Sequence, residues 1–177
     1  MDTFFLNELK SCCVDINGDR ENAGGISRVL GAYRRIMDFS ELARKEGLLA
    51  LCDACVKLDK SDRTQGFLFR LMMQVVDGYE PAVVSEMGLN MLAADEYHAY
   101  EGLIVLMYYK GACLIQTGVS IDRLGSYMQS LMPQFLREIL QKKEEERSED
   151  DYIKEDDKRD KWVRSLCEDN REVDERD

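Results

Sequence analysis

The chain has 177 residues, 45% of them hydrophobic, with a formal net charge of −11 and a pI near 4.7. This length suits one domain with a hydrophobic core, since single domains commonly run to about 100–200 residues. The acidic balance argues against nucleic acid as a partner, because phosphate binding requires clustered Lys and Arg, and it disfavours an anionic membrane surface for the same reason.

The composition favours helix along nearly the whole chain, because good helix formers are abundant and only two prolines, Pro81 and Pro133, occur. The longest apolar run lies near Gly102–Tyr109 and ends at Lys110, well short of the roughly 20 residues that a transmembrane helix needs. The N-terminus shows no basic stretch followed by an apolar one, the pattern of a secretory signal. We therefore predict a soluble, cytoplasmic protein without a transmembrane segment.

The N-terminal arm, residues 1–24, carries a short amphipathic segment between Phe4 and Leu9 that predicts a first helix. The glycine pair Gly24 and Gly25 is expected to break helical periodicity. We expect this arm to dock on the main body.

A long helix is predicted from Ile26 to Leu58, because apolar residues recur there at helical spacing. Gly47 predicts a kink in it, since glycine weakens helix interiors by roughly 1 kcal/mol relative to alanine. The charged residues 59–63 then predict a loop.

Two further helices follow. The first has an apolar face that begins at Phe67, and it ends at Gly78, which tolerates a left-handed C-terminal cap. Pro81 suits the first turn of the second, where its missing N–H is not needed. We expect this second helix to run on from Val83 into the apolar segment that ends near Ile115, as one amphipathic helix.

A last core helix is predicted from Ser120, which suits an N-cap, with a bend at Pro133. Beyond it, residues 141–177 hold 10 basic and 16 acidic residues, so −6 of the chain's net charge of −11 lies there. Such a segment forms either a solvated helix or a disordered tail. Trp162 and Leu166 belong to its only apolar patch and are spaced to share one helical face.

The predicted fold class is therefore all-α: an irregular bundle of four or five helices with a charged C-terminal extension. The bundle is expected to cover residues 1–140, including the arm, and the mixed-charge acidic tail to cover residues 141–177.

Two sequence runs carry a resemblance to a known family: LARKEGLLAL, at Leu42–Leu51, and FLFRLMMQVVDGYEPAVVSEM, at Phe67–Met87. They resemble the cytoplasmic part of the MotA-type flagellar stator subunit family. There a helix with an ARxEGLLAL-like run precedes a second helix that ends in a V-D-G turn, and a third helix leads back into the membrane. Here Tyr108 and Lys110 interrupt the apolar run where a span is expected. The resemblance thus implies a cytoplasmic domain without its ion-conducting spans.

The resemblance also implies a partner surface, because the cytoplasmic helices of that family carry charged residues that meet the rotor ring. The corresponding basic strip in this chain holds Arg28, Arg34, Arg35, Arg44 and Lys45. The candidate partner-binding residues here are Arg34, Arg35, Arg44, Lys45 and Glu46. A merely solvated helix face is the alternative interpretation. Where the family commonly has an acidic residue after G-L-L-A-L, this chain has Cys52, so rotor contacts are not transferred residue by residue.

We therefore expect a non-enzymatic protein–protein interaction module, motility-associated or regulatory, whose partner is a flagellar rotor or stator component. The alternative is an unrelated helical adaptor, or a self-assembling protein that forms homo-oligomers, with partners recruited by the acidic tail through Trp162 and Leu166.

A third hypothesis is a thiol or zinc protein that uses Cys52 and Cys55, a C-x-x-C pair that shares a helix face. Zinc would need two more ligands, and Cys12, Cys13 and His98 are the only candidates. Buried free cysteine usually packs as a small hydrophobe, and no catalytic motif surrounds the single histidine. We thus expect six free thiols, no cofactor and no catalytic residue.

Overall fold

The computed structural model describes residues 3–147 of the chain. All regular structure within this range is helical, so the predicted all-α class is confirmed. The α-helices are α1 (Thr3–Gly18), α2 (Ala23–Glu46), α3 (Leu51–Val56), α4 (Arg63–Val76), α5 (Pro81–Ala94), α6 (Ala99–Gln116) and α7 (Ile121–Ser130). A 3-10 turn, Leu48–Ala50, joins α2 to α3, and residues 134–147 are again helical.

The predicted count of four or five helices is too low for residues 3–147, because stretches predicted to be continuous are interrupted. Gly47 adopts φ 87° and ends α2 outright, where only a kink was expected. This left-handed conformation is readily accessible to glycine alone. Likewise α7 ends at Ser130, and a new helical stretch begins after Pro133.

A third interruption separates α5 from α6, which the sequence predicts as one helix. Asp95 and His98 are extended, and Ala99 has a φ of 45°. Tertiary contacts hold this loop: Tyr97 is buried with its ring edge-on to Phe67, and Arg63 stacks over the Tyr97 ring. Burial of the tyrosine therefore outweighs continuation of the helix.

The core is built around α6. Helices α1, α2, α4 and α5 all pack against it, and every residue from Gly102 to Tyr109 is buried. A helix that is apolar all round belongs in the centre of a domain, whereas an amphipathic one lies at its surface. The expected amphipathic character of this segment is therefore wrong.

Glycines allow the helices to approach α6 closely. A Cβ atom on Gly25 would lie 2.5 Å from the Tyr100 ring, and one on Gly102 would lie 2.3 Å from the Cys12 sulfur. Asn22 caps α2 by accepting a 2.8 Å hydrogen bond from the Gly25 N–H. The cap starts α2 ahead of the glycine pair, which therefore lies inside the helix instead of breaking it.

By its internal contacts the chain divides into two units, Met1–Leu136 and Arg137–Asp177. The first contains α1 to α7. In the second, the described residues 137–147 are helical. No helix within residues 3–147 has the combination of length and apolar character required to cross a bilayer.

Candidate functional site

A groove runs along one face of α2, and we name it the α2 groove. It consists of two adjoining cavities of 140 Å³ and 390 Å³ that share Gly31, Arg35 and Gln65. The smaller cavity faces α6 and the first turn of α4, and the larger faces α3. The residues that define the α2 groove as a whole are Arg28, Gly31, Arg34, Arg35, Lys57 and Tyr108.

Helical spacing explains why α2 supplies most of this surface. Arg28, Gly31 and Arg35 follow one another at intervals of three and four residues, so they share one face of the helix. Apolar residues such as Val29 and Ile36 point into the core and fix the orientation of that face. The groove is therefore set by the packing of α2 on α6.

Arg35 is held by a buried phenol. Its Nη1 donates a 2.6 Å hydrogen bond to the hydroxyl of Tyr108, which is 1% exposed. Burial raises the pKa of Tyr108, although the charge and hydrogen bond of Arg35 lower it in part. The phenol is therefore neutral, and it orients the guanidinium without cancelling its charge.

Positive charge is concentrated in the groove. Arg28, Arg34, Arg35 and Lys57 all line it. Among residues 3–147, no carboxylate oxygen lies within the 4.0 Å ion-pair distance of Arg34, Arg35 or Lys57. The groove is therefore a positively charged surface on a chain whose net charge is −11.

Arg28 differs from the other three cations, because it lies within ion-pair distance of two carboxylates, Asp62 and Glu101. Asp62 caps α4 by accepting hydrogen bonds from the Thr64 and Gln65 N–H groups at 2.8 and 3.1 Å. Arg28 lies 3.4 Å from Asp62 and 3.2 Å from Glu101. Burial raises the pKa of Asp62, but these hydrogen bonds and Arg28 outweigh it and lower the pKa overall. The network ties α2 to the N-termini of α4 and α6.

The structure separates the five predicted contact residues of α2 into two sets. Arg34 and Arg35 line the groove. Arg44, Lys45 and Glu46 are exposed in the last turn, and the structure does not bring them to the groove. Arg44 and Lys45 have a local role there, because basic residues near a helix C-terminus complement its dipole. Lys45 also pairs with Glu41 one turn earlier.

The remaining two predicted contact residues, Trp162 and Leu166, lie outside the described residues. So does most of the tail on which the adaptor hypothesis depends.

The C-x-x-C pair lies on α3. Cys55 is fully buried, and burial together with the charge of Cys52 raises its pKa to about 11. Cys12 and His98 line a different cavity, of 210 Å³, against α6. In residues 3–147 no three His, Cys, Asp or Glu side chains come together as a metal site.

Sequence reasoning missed four residues of the site: Gly31, Lys57, Asp62 and Tyr108. Gly31 could have been found from the sequence, because it lies between Arg28 and Arg35, which are spaced i, i+7 on one helix face. The sequence held no signal that Tyr108 belongs to the site, since an aromatic residue in an apolar run is typical of any hydrophobic core.

Fold and groove together define a small all-α domain with a cationic groove on its surface. Comparisons with models of protein families, with curated proteins and with solved structures give no match for the chain. The resemblance to the MotA-type stator family therefore stays a prediction.

Proposed function

We propose that the chain is a non-enzymatic protein–protein interaction module whose contact surface is the α2 groove. One observation supports this: four cationic side chains line a preformed groove on an otherwise acidic chain, and three of them have no carboxylate at ion-pair distance within the described residues. Complementary charge steers association and selects partners. The partner surface that fits is acidic.

The resemblance of Leu42–Leu51 and Phe67–Met87 to the stator family suggests where to look for that partner. We propose a flagellar rotor or stator component, and a motility-associated or regulatory role.

The experiment is capture of partners by the tagged full chain from its own cells at low salt, because salt screens exposed charge contacts. Arg34→Glu with Arg35→Glu should reduce the captured partner about tenfold or more, since reversed charges repel an acidic surface. Arg123→Glu on α7 is the matched control for Arg34→Glu alone, because each reverses one charge at an exposed position. Circular dichroism verifies that each variant is folded, and Arg34→Glu alone spares the Arg35 hydrogen bond.

Equal capture by the double variant and the Arg123→Glu control would contradict the groove as the contact surface. Deletion of Glu144–Asp177 tests the adaptor alternative. If that deletion abolishes capture while the charge reversals do not, the acidic tail is the recruiting element.

A further inference from the structure

Gly31 is a helix-interior glycine that packing does not require. It lies in the middle of α2, it is exposed, and a Cβ atom built on it meets nothing within 4 Å. By contrast, a Cβ on Gly25 of the same helix would lie 2.5 Å from Tyr100. A mid-helix glycine weakens a helix relative to alanine. What Gly31 does provide is open space where the two cavities of the α2 groove meet.

Arg35 stands one turn further along the same face. It is half-buried, and Tyr108 takes only one of its five N–H donors in the described structure. A partly desolvated cation without a counter-ion is unfavourable. Because the hydrogen bond to Tyr108 fixes the guanidinium, the remaining donors are preorganised for a bidentate acceptor.

We infer that the part of the α2 groove around Gly31 and Arg35 binds an aspartate or glutamate side chain from an acidic segment of the partner protein. This inference rests on the proposed function and names the chemistry of its contact. Charge complementarity supports a carboxylate, since Asp38 and Asp62 are the only acidic groove residues among those described, against four cations. Asp62 is already engaged by Arg28 and the α4 cap.

The larger cavity indicates what accompanies the carboxylate. Phe39, Ala54 and Leu58 line it beside Arg34 and Lys57. An apolar side chain next to the acidic one would fill this space, whereas a free phosphate would leave it empty. The fitting occupant is therefore an acidic peptide segment that also carries apolar residues.

The test uses the isotope-labelled full chain and a synthetic peptide of alternating glutamate and leucine, with a glutamine–leucine peptide as control. At low salt, the acidic peptide should shift the Gly31 amide and the Arg35 side-chain N–H resonances, and the glutamine peptide should not. Arg35→Gln should weaken binding about tenfold, because it removes a charge-assisted bidentate contact. Arg34→Gln, at an exposed position, should weaken it only about twofold.

Gly31→Leu is the steric test, since it fills the groove while replacing glycine by a better helix former. It should abolish the peptide-induced shifts and leave the protein folded. Three results would overturn the inference: no binding of the acidic peptide, equal losses for Arg35→Gln and Arg34→Gln, or unchanged binding to Gly31→Leu. Shifts produced by inorganic phosphate but not by the peptide would also overturn it and would indicate a phosphorylated ligand.

Capture of the native partner by the two groove variants distinguishes failure of this inference from failure of the proposed function. If the Arg34→Glu, Arg35→Glu variant loses the partner but Gly31→Leu retains it, the groove surface is the contact and the carboxylate subsite is wrong. If both variants retain the partner, both proposals fail.

Discussion

Gly111 of α6 and Ile36 of α2 are in direct contact across the centre of the domain. A Cβ atom at residue 111 would lie 2.7 Å from Cδ1 and 2.8 Å from Cγ2 of Ile36, closer than real Cβ contacts. Ile36 is fully buried and branched at Cβ, so it has little freedom to move aside. The approach of the two helices, and with it the position of the α2 groove, depends on this pair.

Gly111→Ala should therefore destabilise the protein, although alanine is the better helix former. Overpacking of a tight core typically costs about 1–3 kcal/mol, which exceeds the gain in helix propensity of roughly 1 kcal/mol. Urea unfolding followed by the helical circular dichroism signal measures the difference. A variant as stable as the parent would show that α2 and α6 can move apart freely.

Gly31→Ala is the matched substitution on the partner helix, and we expect the opposite sign. Its Cβ would meet nothing within 4 Å, so the change should stabilise the protein by about 0.5–1 kcal/mol. The same urea experiment applies, with Gly111→Ala as its counterpart. A loss of stability would mean that the space above Gly31 is not open.

Asp62 should contribute to the free energy of unfolding at neutral pH, and this contribution should be lost in acid. The pKa of Asp62 in the folded chain lies below its ordinary value of 3.8, so the ionised form is stabilised by folding. That contribution is present above the unfolded pKa and is lost as pH falls through the folded one. Asp62→Asn keeps a cap acceptor but removes the charge, so its stability should approach that of the parent only below about pH 4.

Asp62→Ala removes the cap as well and should cost about 0.5–2 kcal/mol at neutral pH. Unfolding in urea at neutral and acid pH, with all three proteins side by side, separates the cap from the charge. Parallel curves for the parent and Asp62→Asn across this range would contradict the pKa shift.

Cys12 and Cys55 should be unreactive in the folded protein. Burial, followed by the charge of Glu8, raises the pKa of Cys12 to about 12, and that of Cys55 rises to about 11. Since the thiolate is the reactive form, both should resist alkylation at pH 8 far more than a free thiol with a pKa near 8.5. Peptide mapping after brief maleimide treatment measures this, with urea-unfolded protein as control. Cys55 reacting as fast as Cys52 would contradict this prediction and support the redox-pair hypothesis.

The helix interruptions show where local sequence was insufficient. Nothing in residues 95–98 prohibits a helix, yet Tyr97 leaves the helical path to pack against Phe67 from α4. Such contacts join residues far apart in the chain, and tertiary packing routinely overrides local propensity. The same reason applies to Gly25, which sequence assigns to a break and the structure buries against Tyr100.

By itself the sequence determined the helical class that residues 3–147 adopt, because propensity and apolar periodicity are local properties of neighbouring residues. It also placed Arg34 and Arg35 on one exposed strip with Arg44 and Lys45. Only the tertiary structure decided that Arg35 meets the Tyr108 hydroxyl, 73 residues away, inside a groove, while Lys45 stays at an open helix end. Spacing along a helix fixes which residues share a face, whereas what that face meets depends on how the helices pack.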